Sequence, residues 1–261
     1  MSSMPGHGPA HPPGLLETED LTIRFGGHAA VDGVSCRFTP GTLTAIVGPN
    51  GAGKTTYFNL LSGQLRATSG RVRFDGEDIT ALPASARARR GLGRAFQLTN
   101  LFPRLSVEEN VRLAVQARAG VGRDFLSVWS ARRDLVERAD HLLEQVALSD
   151  KRALAAAALP HGDQRKLEVA LLMALEPRVF MFDEPTAGMS VDEAPVILQL
   201  IAAIKADTRR TVILVEHKMD VFRSLADRIV VLHQGRLAAD GAPAEVMASK
   251  VVQEAYLGMA A

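Results

Sequence analysis

Cysteine and aromatic residues are scarce in this chain of 261 residues. The single cysteine, Cys36, excludes an intrachain disulfide and fits a reducing compartment. It lies in the alternation Val34, Cys36, Phe38, which predicts a small buried side chain rather than a reactive thiol. Hydrophobic residues make up 47% of the chain and aromatic residues only 5%. The core is therefore predicted to be aliphatic, as in parallel sheets covered by helices.

Net charge and long apolar runs are also lacking. A formal net charge of +1 gives no electrostatic argument for nucleic acid or an anionic membrane as the main partner, so we expect no nucleic-acid partner. The densest apolar run, Val169 to Leu175, is far too short to span a bilayer. Residues 1–14 are polar and rich in proline, glycine and histidine, which predicts a disordered N-terminal extension rather than a signal peptide. We expect a protein that is soluble by itself and reaches a membrane only through a partner.

One glycine-rich run stands out because of its context. It follows the apolar, strand-like stretch Leu43 to Val47 and fits the pattern G-x-x-x-x-G-K-[ST]. At average residue usage, about one chain in a hundred of this length would contain such a match by chance. A helix that begins at the lysine and ends at Gly63 would surround a polyphosphate with backbone N–H groups. Lys54 is predicted to reach the β- and γ-phosphates and Thr55 to ligate Mg²⁺. The nucleotide-binding residues predicted here, which we call the phosphate loop, are Gly48, Pro49, Asn50, Gly51, Ala52, Gly53, Lys54, Thr55 and Thr56.

The periodicity of apolar residues divides the chain into three regions. Residues 16–74 alternate like strands separated by glycine-containing turns, residues 98 to about 176 show helical stripes, and strand–helix alternation resumes after residue 178. An α/β nucleotide-binding core with an inserted helical subdomain is the simplest account. Ala84 to Arg90 is predicted to be a short basic helix whose arginines, Arg87, Arg89 and Arg90, form a solvated face.

A second motif combines four apolar residues with two acids, Val179 to Phe182 followed by Asp183 and Glu184. Asp183, at the end of the predicted strand, suits Mg²⁺ coordination through water. Glu184 is a candidate general base that accepts a proton from the attacking water. A strand followed by two acids is common in proteins, so by itself it is weak evidence for a functional site. Its position downstream of the phosphate loop strengthens that interpretation.

From Leu15 to Gly258 these motifs, taken in order, resemble an ATP-binding-cassette (ABC) ATPase. The resemblance implies a P-loop NTPase core with an antiparallel β subdomain and an inserted helical subdomain, a domain spanning residues 15–261, and ATP with Mg²⁺ as ligands. It implies that Gln97, in Arg94 to Gln97, touches Mg²⁺ or the attacking water, and that His217 contacts the γ-phosphate. It also implies that Phe25 stacks on adenine, although packing in the core is nearly as good an interpretation of that residue. The catalytic set is thus Glu184, His217, Gln97 and Lys54, and the metal set is Thr55, Gln97 and Asp183.

The signature segment of the family departs from its common form here. Where Leu-Ser-Gly-Gly-Gln is usual, this chain has Leu159, Pro160, His161, Gly162 and Asp163. In the family this segment begins a helix that faces the ATP held by the opposing subunit. Proline offers neither a hydroxyl nor an N–H at the serine position, and Asp163 brings a carboxylate near the expected phosphate. We therefore expect a weaker composite site on the partner's nucleotide. Ser190, where an aspartate is usual, puts communication between the two sites in question.

Further residues resemble the branched-chain amino-acid importer subgroup: Arg94 to Gln97, Thr99, Leu101, Phe102, Leu105 to Val111 and Tyr256 to Gly258. That resemblance implies a second, paralogous ATPase subunit, two membrane permeases, an indirect role for a periplasmic binding protein, and a peripheral location at the cytoplasmic face of the inner membrane. Residues 98–102 are the predicted permease-facing surface, with a mere packing loop as the alternative.

Other functions stay open on the sequence alone. Urea or amide import is a close variant, and a lipopolysaccharide-export ATPase shares Leu82-Pro83 and residues 86–91. A stand-alone soluble cassette ATPase ranks lower, since this chain has one cassette and nearly balanced charge. A nucleotide kinase or GTPase would account for the phosphate loop, but not for Gln97, the signature segment and His217 together.

Overall fold

The computed structural model describes residues 15–95, 101–120, 132–217, 224–249 and 252. The central feature is a six-stranded sheet. Its strands are β3 (Leu43–Val47), β6 (Leu92–Ala95), β7 (Val179–Asp183), β8 (Thr211–Val215), β9 (Arg228–His233) and β10 (Arg236–Gly241), in the order β10-β9-β3-β8-β7-β6. The strands β9, β3, β8, β7 and β6 run parallel, and only β10 is antiparallel to its neighbour. Every residue of β3, β7 and β8 is buried, which is why these segments are continuous apolar runs.

A second, antiparallel sheet packs beside the first. It contains β1 (Leu16–Phe25), β2 (His28–Phe38), β4 (Ser69–Phe74) and β5 (Glu77–Asp78), in the order β2-β1-β4-β5. The buried side chains of this sheet and of the central sheet enclose α1 (Lys54–Ser62), whose Tyr57 and Phe58 are fully buried. The helix that follows the phosphate loop is therefore held on both sides by sheet.

The remaining helices cover the other faces. They are α2 (Ala84–Arg89), α3 (Val107–Ala119), α4 (Arg133–Gln145), α5 (His161–Ala174), α6 (Ala194–Lys205) and α7 (Pro243–Ala248), with short 3₁₀ turns at Ser149–Lys151 and Ala156–Ala158. The helices α3, α4 and α5 share a separate hydrophobic cluster, while α6 packs on the opposite face of the central sheet from α1. This α/β architecture confirms the predicted fold class.

Several local predictions are confirmed. Helix α1 begins at Lys54 and ends at Gly63, which has a φ of 79° and donates its N–H to helix carbonyls. Ser106 and Glu109 form both hydrogen bonds of the capping box that starts α3. Cys36 is buried, and burial raises the pKa of its thiol to about 11, as expected for an unreactive cysteine. The division into a core and a helical subdomain at about 98–176 stays a prediction.

The prediction that Arg87 lies on a solvated face is wrong. Helix α2 does form, but the Arg87 side chain turns inward and is only 2% exposed. Its guanidinium donates to the backbone oxygens of Leu60 and Leu61, at 2.7 and 2.8 Å, and to those of Leu82 and Thr80. Arg87 thus satisfies carbonyls at the C-terminal end of α1, where a helix has no partners of its own. Burial lowers the pKa of this arginine to about 10.

Candidate functional site

The phosphate loop connects β3 to α1 in a conformation that requires glycine at two places. Gly48 has a φ of 151°, and a Cβ there would lie 2.2 Å from the Leu232 carbonyl oxygen. Gly53 has a φ of 95°, and a Cβ there would lie 2.4 Å from the Ala30 carbonyl oxygen. Gly53 is also the residue that precedes α1, and no side chain caps the first turn of that helix. The helix N-terminus therefore presents its N–H groups and partial positive charge to the loop.

Lys54 lies across this loop. Its Nζ donates to the backbone oxygens of Gly48 and Pro49, at 2.7 and 2.9 Å. Burial lowers the pKa of Lys54, and the nearby carboxylates of Glu184 and Asp183 oppose that shift. The two motifs that the sequence placed far apart are thus brought together, with the ammonium group next to both acids.

Asp183 ends β7, beside Val215 of β8. Its side chain is fully buried, and its Oδ2 accepts a hydrogen bond from Arg94 Nη2 at 3.0 Å. Its Oδ1 is buried and makes no hydrogen bond within the part of the chain that the structure describes. Burial raises the pKa of Asp183, while Arg94 and Lys54 act in the opposite direction and Glu184 adds to the rise.

Glu184 and His217 meet at the carboxyl ends of β7 and β8. Glu184 has a φ of 50°, rare for a residue with a side chain, and its N–H donates to the Val215 oxygen at 2.9 Å. His217 Nδ1 lies 3.6 Å from Glu184 Oε1, and both side chains are accessible to solvent. This backbone conformation is costly for a residue with a side chain, and the Glu184 carboxylate stays partly exposed at the sheet edge.

Sequence reasoning missed two residues that support this pair. Glu216 is buried, and its Oε1 accepts a hydrogen bond from Thr186 Oγ1 at 2.6 Å. Its Oε2 accepts the His217 N–H at 2.8 Å. The contact joins the loop after β7 to the loop after β8, on which His217 lies. A buried acid directly after an apolar strand was the available signal, since the same pattern marked Asp183.

Two oxygen donors of the site could hold Mg²⁺. Thr55 is exposed in the first turn of α1, and Asp183 Oδ1 is a buried oxygen with free capacity to accept. Over the described residues, no group of three or more His, Cys, Asp or Glu side chains is placed to hold a metal. The two oxygen donors Thr55 and Asp183 fit Mg²⁺, because this ion binds through few protein oxygens and completes its shell with water and phosphate oxygens.

The signature segment begins a helix, as expected. Pro160 precedes α5 with a φ of −55°, and His161 is the first helical residue. Asp163 is buried and does not present a bare carboxylate, since it accepts from Lys151 and from Lys166, the latter at 2.8 Å. Burial alone would raise the pKa of Asp163, but the two lysines outweigh it and the pKa is lowered. The charge that was expected to weaken the site is largely compensated.

Gly162 lies against a side chain rather than against backbone. A Cβ at this position would lie 2.5 Å from Glu193 Oε1. Glu193 in turn accepts hydrogen bonds from the N–H and the hydroxyl of Ser190, at 3.1 and 3.0 Å. The segment carrying Ser190 therefore lies beside the start of α5, with the Glu193 side chain between Ser190 and Gly162.

The other predicted site residues lie at the margins. Phe25 ends β1 and is 53% exposed, so core packing does not account for it. A depression of about 850 Å³ extends from the β1–β2 turn next to Phe25 to Gly51 of the phosphate loop. Leu159 is buried against the α3–α5 cluster. Gln97, Thr99 and the chain end at 256–258 lie outside the described residues.

Known proteins of similar sequence identify the family of this chain. Residues 31–187 match the ABC transporter family. The chain belongs to this family. The ABC ATPase fold class is confirmed, and the chain is an ATP-hydrolysing enzyme of that kind.

Individual relatives extend the match over nearly the whole chain. The branched-chain amino acid transport ATP-binding protein BraF of Pseudomonas aeruginosa is 40% identical, with 94% of this chain and 98% of the relative covered. LivG of Escherichia coli K12, of the same description, is 37% identical over 94% and 98%. The lipopolysaccharide export ATP-binding protein LptB of the same organism is 32% identical over 93% and 97%.

A solved structure agrees with the fold. The ADP conformation of the ATP-binding cassette MJ1267 is 28% identical, with a TM-score of 0.80, 94% of this chain and 98% of that one covered. Within the described residues, no helix is both long and apolar enough to cross a membrane.

Proposed function

We propose that the chain is the ATP-hydrolysing subunit of an importer for branched-chain amino acids. The observation that carries the proposal is the identity of 37–40% to BraF and LivG over almost their full length, against 32% for LptB. A lipopolysaccharide-export role is accordingly the weaker candidate. Urea or amide import is the variant that the sequence itself leaves open.

In the proposed mechanism the phosphate loop binds the ATP phosphates. Lys54 leaves the carbonyls of Gly48 and Pro49 and donates instead to the β- and γ-phosphates. Phe25, exposed beside the β1–β2 turn, stacks on adenine. Thr55 and Asp183 would hold Mg²⁺, with Gln97 as a further ligand, and the ion would neutralise charge on the phosphates.

Glu184 acts as the general base. Its carboxylate is accessible at the sheet edge, and it accepts a proton from the water that attacks the γ-phosphate. His217, 3.6 Å from Glu184, orients the carboxylate and contacts the γ-phosphate. The hydrogen bonds of Glu216 with Thr186 and with the His217 N–H hold the backbone of His217 at a fixed position relative to Glu184.

A second cassette completes the site. The start of α5, with Leu159, Pro160, His161, Gly162 and Asp163, faces the nucleotide of the opposing subunit through its helix N-terminus. Two such cassettes close around two ATP molecules and reopen after hydrolysis, which is how turnover drives a gating movement. We expect the opposing subunit to be a paralogue, so that the two sites are unequal.

The permeases dock at the groove beside the end of β6. This groove has a volume of about 370 Å³, and its apolar lining includes Phe102, Leu113, Leu171 and Leu175. Phe102 is 56% exposed, and it belongs to the segment 98–102 that the sequence indicated. This location would place the subunit at the cytoplasmic face of the inner membrane, with a periplasmic binding protein on the other side.

Affinity purification of the chain from its native membrane, with mass spectrometry of what stays bound, tests the proposal. Two permeases and a second, non-identical cassette are expected. Recovery of a soluble homodimer without a permease would contradict the importer assignment. Co-purification of lipopolysaccharide-export components would replace it with the weaker candidate. Phe102→Ala, combined with Thr99→Ala, should release the permeases, and retention of full transport would argue against the proposed docking groove.

A further inference from the structure

Arg94 connects three elements of the site, yet neither the family resemblance nor the mechanism above gives it a role. It lies in β6, next to Met181 of β7. Its side chain is only 10% exposed. Nη1 donates to Asn59 Oδ1 and Ser62 Oγ of α1, at 2.6 and 2.9 Å, and Nη2 donates to Asp183 Oδ2 at 3.0 Å.

The guanidinium is held from one further side. Its carbon lies 4.7 Å from the centre of the Phe58 ring, also on α1, in a cation–π arrangement. The planar group is therefore fixed by α1 on one edge and face and by Asp183 on the other edge. Lysine could not reproduce this geometry, because its ammonium cannot bridge two groups in one plane.

The contact with Arg94 fixes the orientation of the Asp183 carboxylate. Arg94 occupies Oδ2 of Asp183, whereas Oδ1 is buried and makes no hydrogen bond in the described part of the chain. Fixing one oxygen of a carboxylate fixes the direction of the other. A buried ion pair is weak evidence for stability, because the desolvation of both charges offsets their attraction. A positional role explains the arrangement better than a purely stabilising one.

We propose that Arg94 is a positioning residue for ATP hydrolysis, which holds Asp183 against α1 so that Oδ1 is presented to the Mg²⁺ of bound ATP. The inference rests on the proposed function of Asp183 as the acid that binds this ion. Arg94 itself touches neither nucleotide nor metal. It links the helix that follows the phosphate loop to the acid that ends β7, so both parts of the site keep one geometry.

The experiment compares Arg94→Gln with wild type and with Arg210→Gln as a matched control. Arg210 is also an arginine stacked on a phenylalanine, 5.4 Å from the Phe180 ring centre, and paired with an aspartate, Asp207, at 3.1 Å. Each protein is assayed for ATP affinity in EDTA, ATP affinity with Mg²⁺, and the Mg²⁺ concentration giving half-maximal turnover. Thermal melting reports folding.

For Arg94→Gln we expect unchanged ATP affinity in EDTA and a Mg²⁺ half-saturation raised about 10- to 100-fold, the range typical of residues that orient a metal ligand. Arg210→Gln should match wild type. Asp183→Asn should abolish the gain in affinity from Mg²⁺, and adding Arg94→Gln to it should change nothing more, because Arg94 acts through Asp183.

Two results would overturn the inference: a wild-type Mg²⁺ dependence in Arg94→Gln, whatever its melting temperature, or full additivity with Asp183→Asn. If Arg94→Gln does not fold, Arg94→Lys decides, since it keeps the charge and loses the bridge. A Mg²⁺ dependence like that of wild type in Arg94→Lys would then refute it. Failure of the proposed function is a separate outcome, in which the wild-type protein itself gains no ATP affinity from Mg²⁺.

Discussion

The phosphate-loop half of the site and the signature half differ in how strictly the fold constrains them. The phosphate-loop half comprises Gly48–Thr56, Asp183, Glu184 and His217, and the signature half comprises Leu159–Asp163. In the first, backbone contacts dictate the residue type: a Cβ at Gly48 would lie 2.2 Å from a carbonyl oxygen. In the second, a proline and a histidine replace the usual residues, and a helix nevertheless begins at His161.

The difference follows from what each half contributes. In the mechanism proposed above, the first half supplies specific side chains to reacting atoms in its own subunit, and few substitutions would preserve that chemistry. In the same proposal, the second half supplies a helix N-terminus to a nucleotide held elsewhere. The N–H groups of α5, which begins at His161 after Pro160, are present whatever side chains the helix carries. Even at Gly162, an added Cβ would meet the end of the Glu193 side chain rather than backbone, and that side chain can move.

The largest effect is expected in the phosphate-loop half, for Glu184→Gln. Turnover should fall about 100- to 10,000-fold, the range for loss of a general base, while ATP still binds and the closed dimer accumulates. Glu176→Gln is the matched control, because Glu176 is another glutamate with positive φ, 49°, but pairs with Arg118 and Arg138 instead. Steady-state hydrolysis and size-exclusion chromatography with ATP measure both. Near-normal turnover in Glu184→Gln would show that another group is the base.

The next effect concerns binding rather than chemistry. Lys54→Ala should weaken ATP affinity about 10- to 100-fold, because one charge-assisted hydrogen bond to phosphate is lost. Lys205→Ala, at the end of α6 and paired with Asp227, should leave the affinity unchanged. Isothermal titration with ATP distinguishes the two. Intact affinity in Lys54→Ala would contradict the assignment of the phosphate loop.

The contacts between Arg87 and α1, the helix that follows the phosphate loop, can be tested through the stability of the protein. Arg87→Met removes the donor from carbonyls at the C-terminal end of α1, and should lower the free energy of unfolding by about 1–3 kcal/mol. Arg89→Met, on the exposed side of the same short helix, should change it by less than about 0.5 kcal/mol. Urea denaturation of both variants provides the measurement. Equal effects would mean that Arg87 does not cap α1.

The smallest effect is expected in the signature half. Pro160→Ser restores a hydroxyl and an N–H at the helix start, which should raise turnover of the assembled complex by up to about tenfold. The measurement is ATP hydrolysis by the complex with its permeases. Unchanged turnover would refute the idea that this signature weakens the composite site, and would fit a site on which the helix backbone acts alone.

The phosphate loop and the acids at the end of β7 were predictable because each depends on local sequence: an apolar strand, then a fixed chemical pattern. The start of α5 was predicted from the family resemblance instead. The burial of Arg87 was not predictable, since its partners are backbone oxygens at Leu60 and Leu61 that carry no sequence signal. The same holds for Arg94, which the motif included without revealing its contact with Asp183. The pairing of Thr186 with Glu216 depends on two parallel strands ending side by side, and only the three-dimensional register shows it.

We propose above all that ATP hydrolysis at Glu184 drives branched-chain amino-acid import. The most direct test is uptake of labelled leucine into proteoliposomes that contain the purified complex, its binding protein and ATP. We predict uptake coupled to ATP hydrolysis in the wild type, and the loss of both with Glu184→Gln. Leucine uptake that persists in Glu184→Gln, or hydrolysis that leucine-loaded binding protein does not stimulate, would contradict the account.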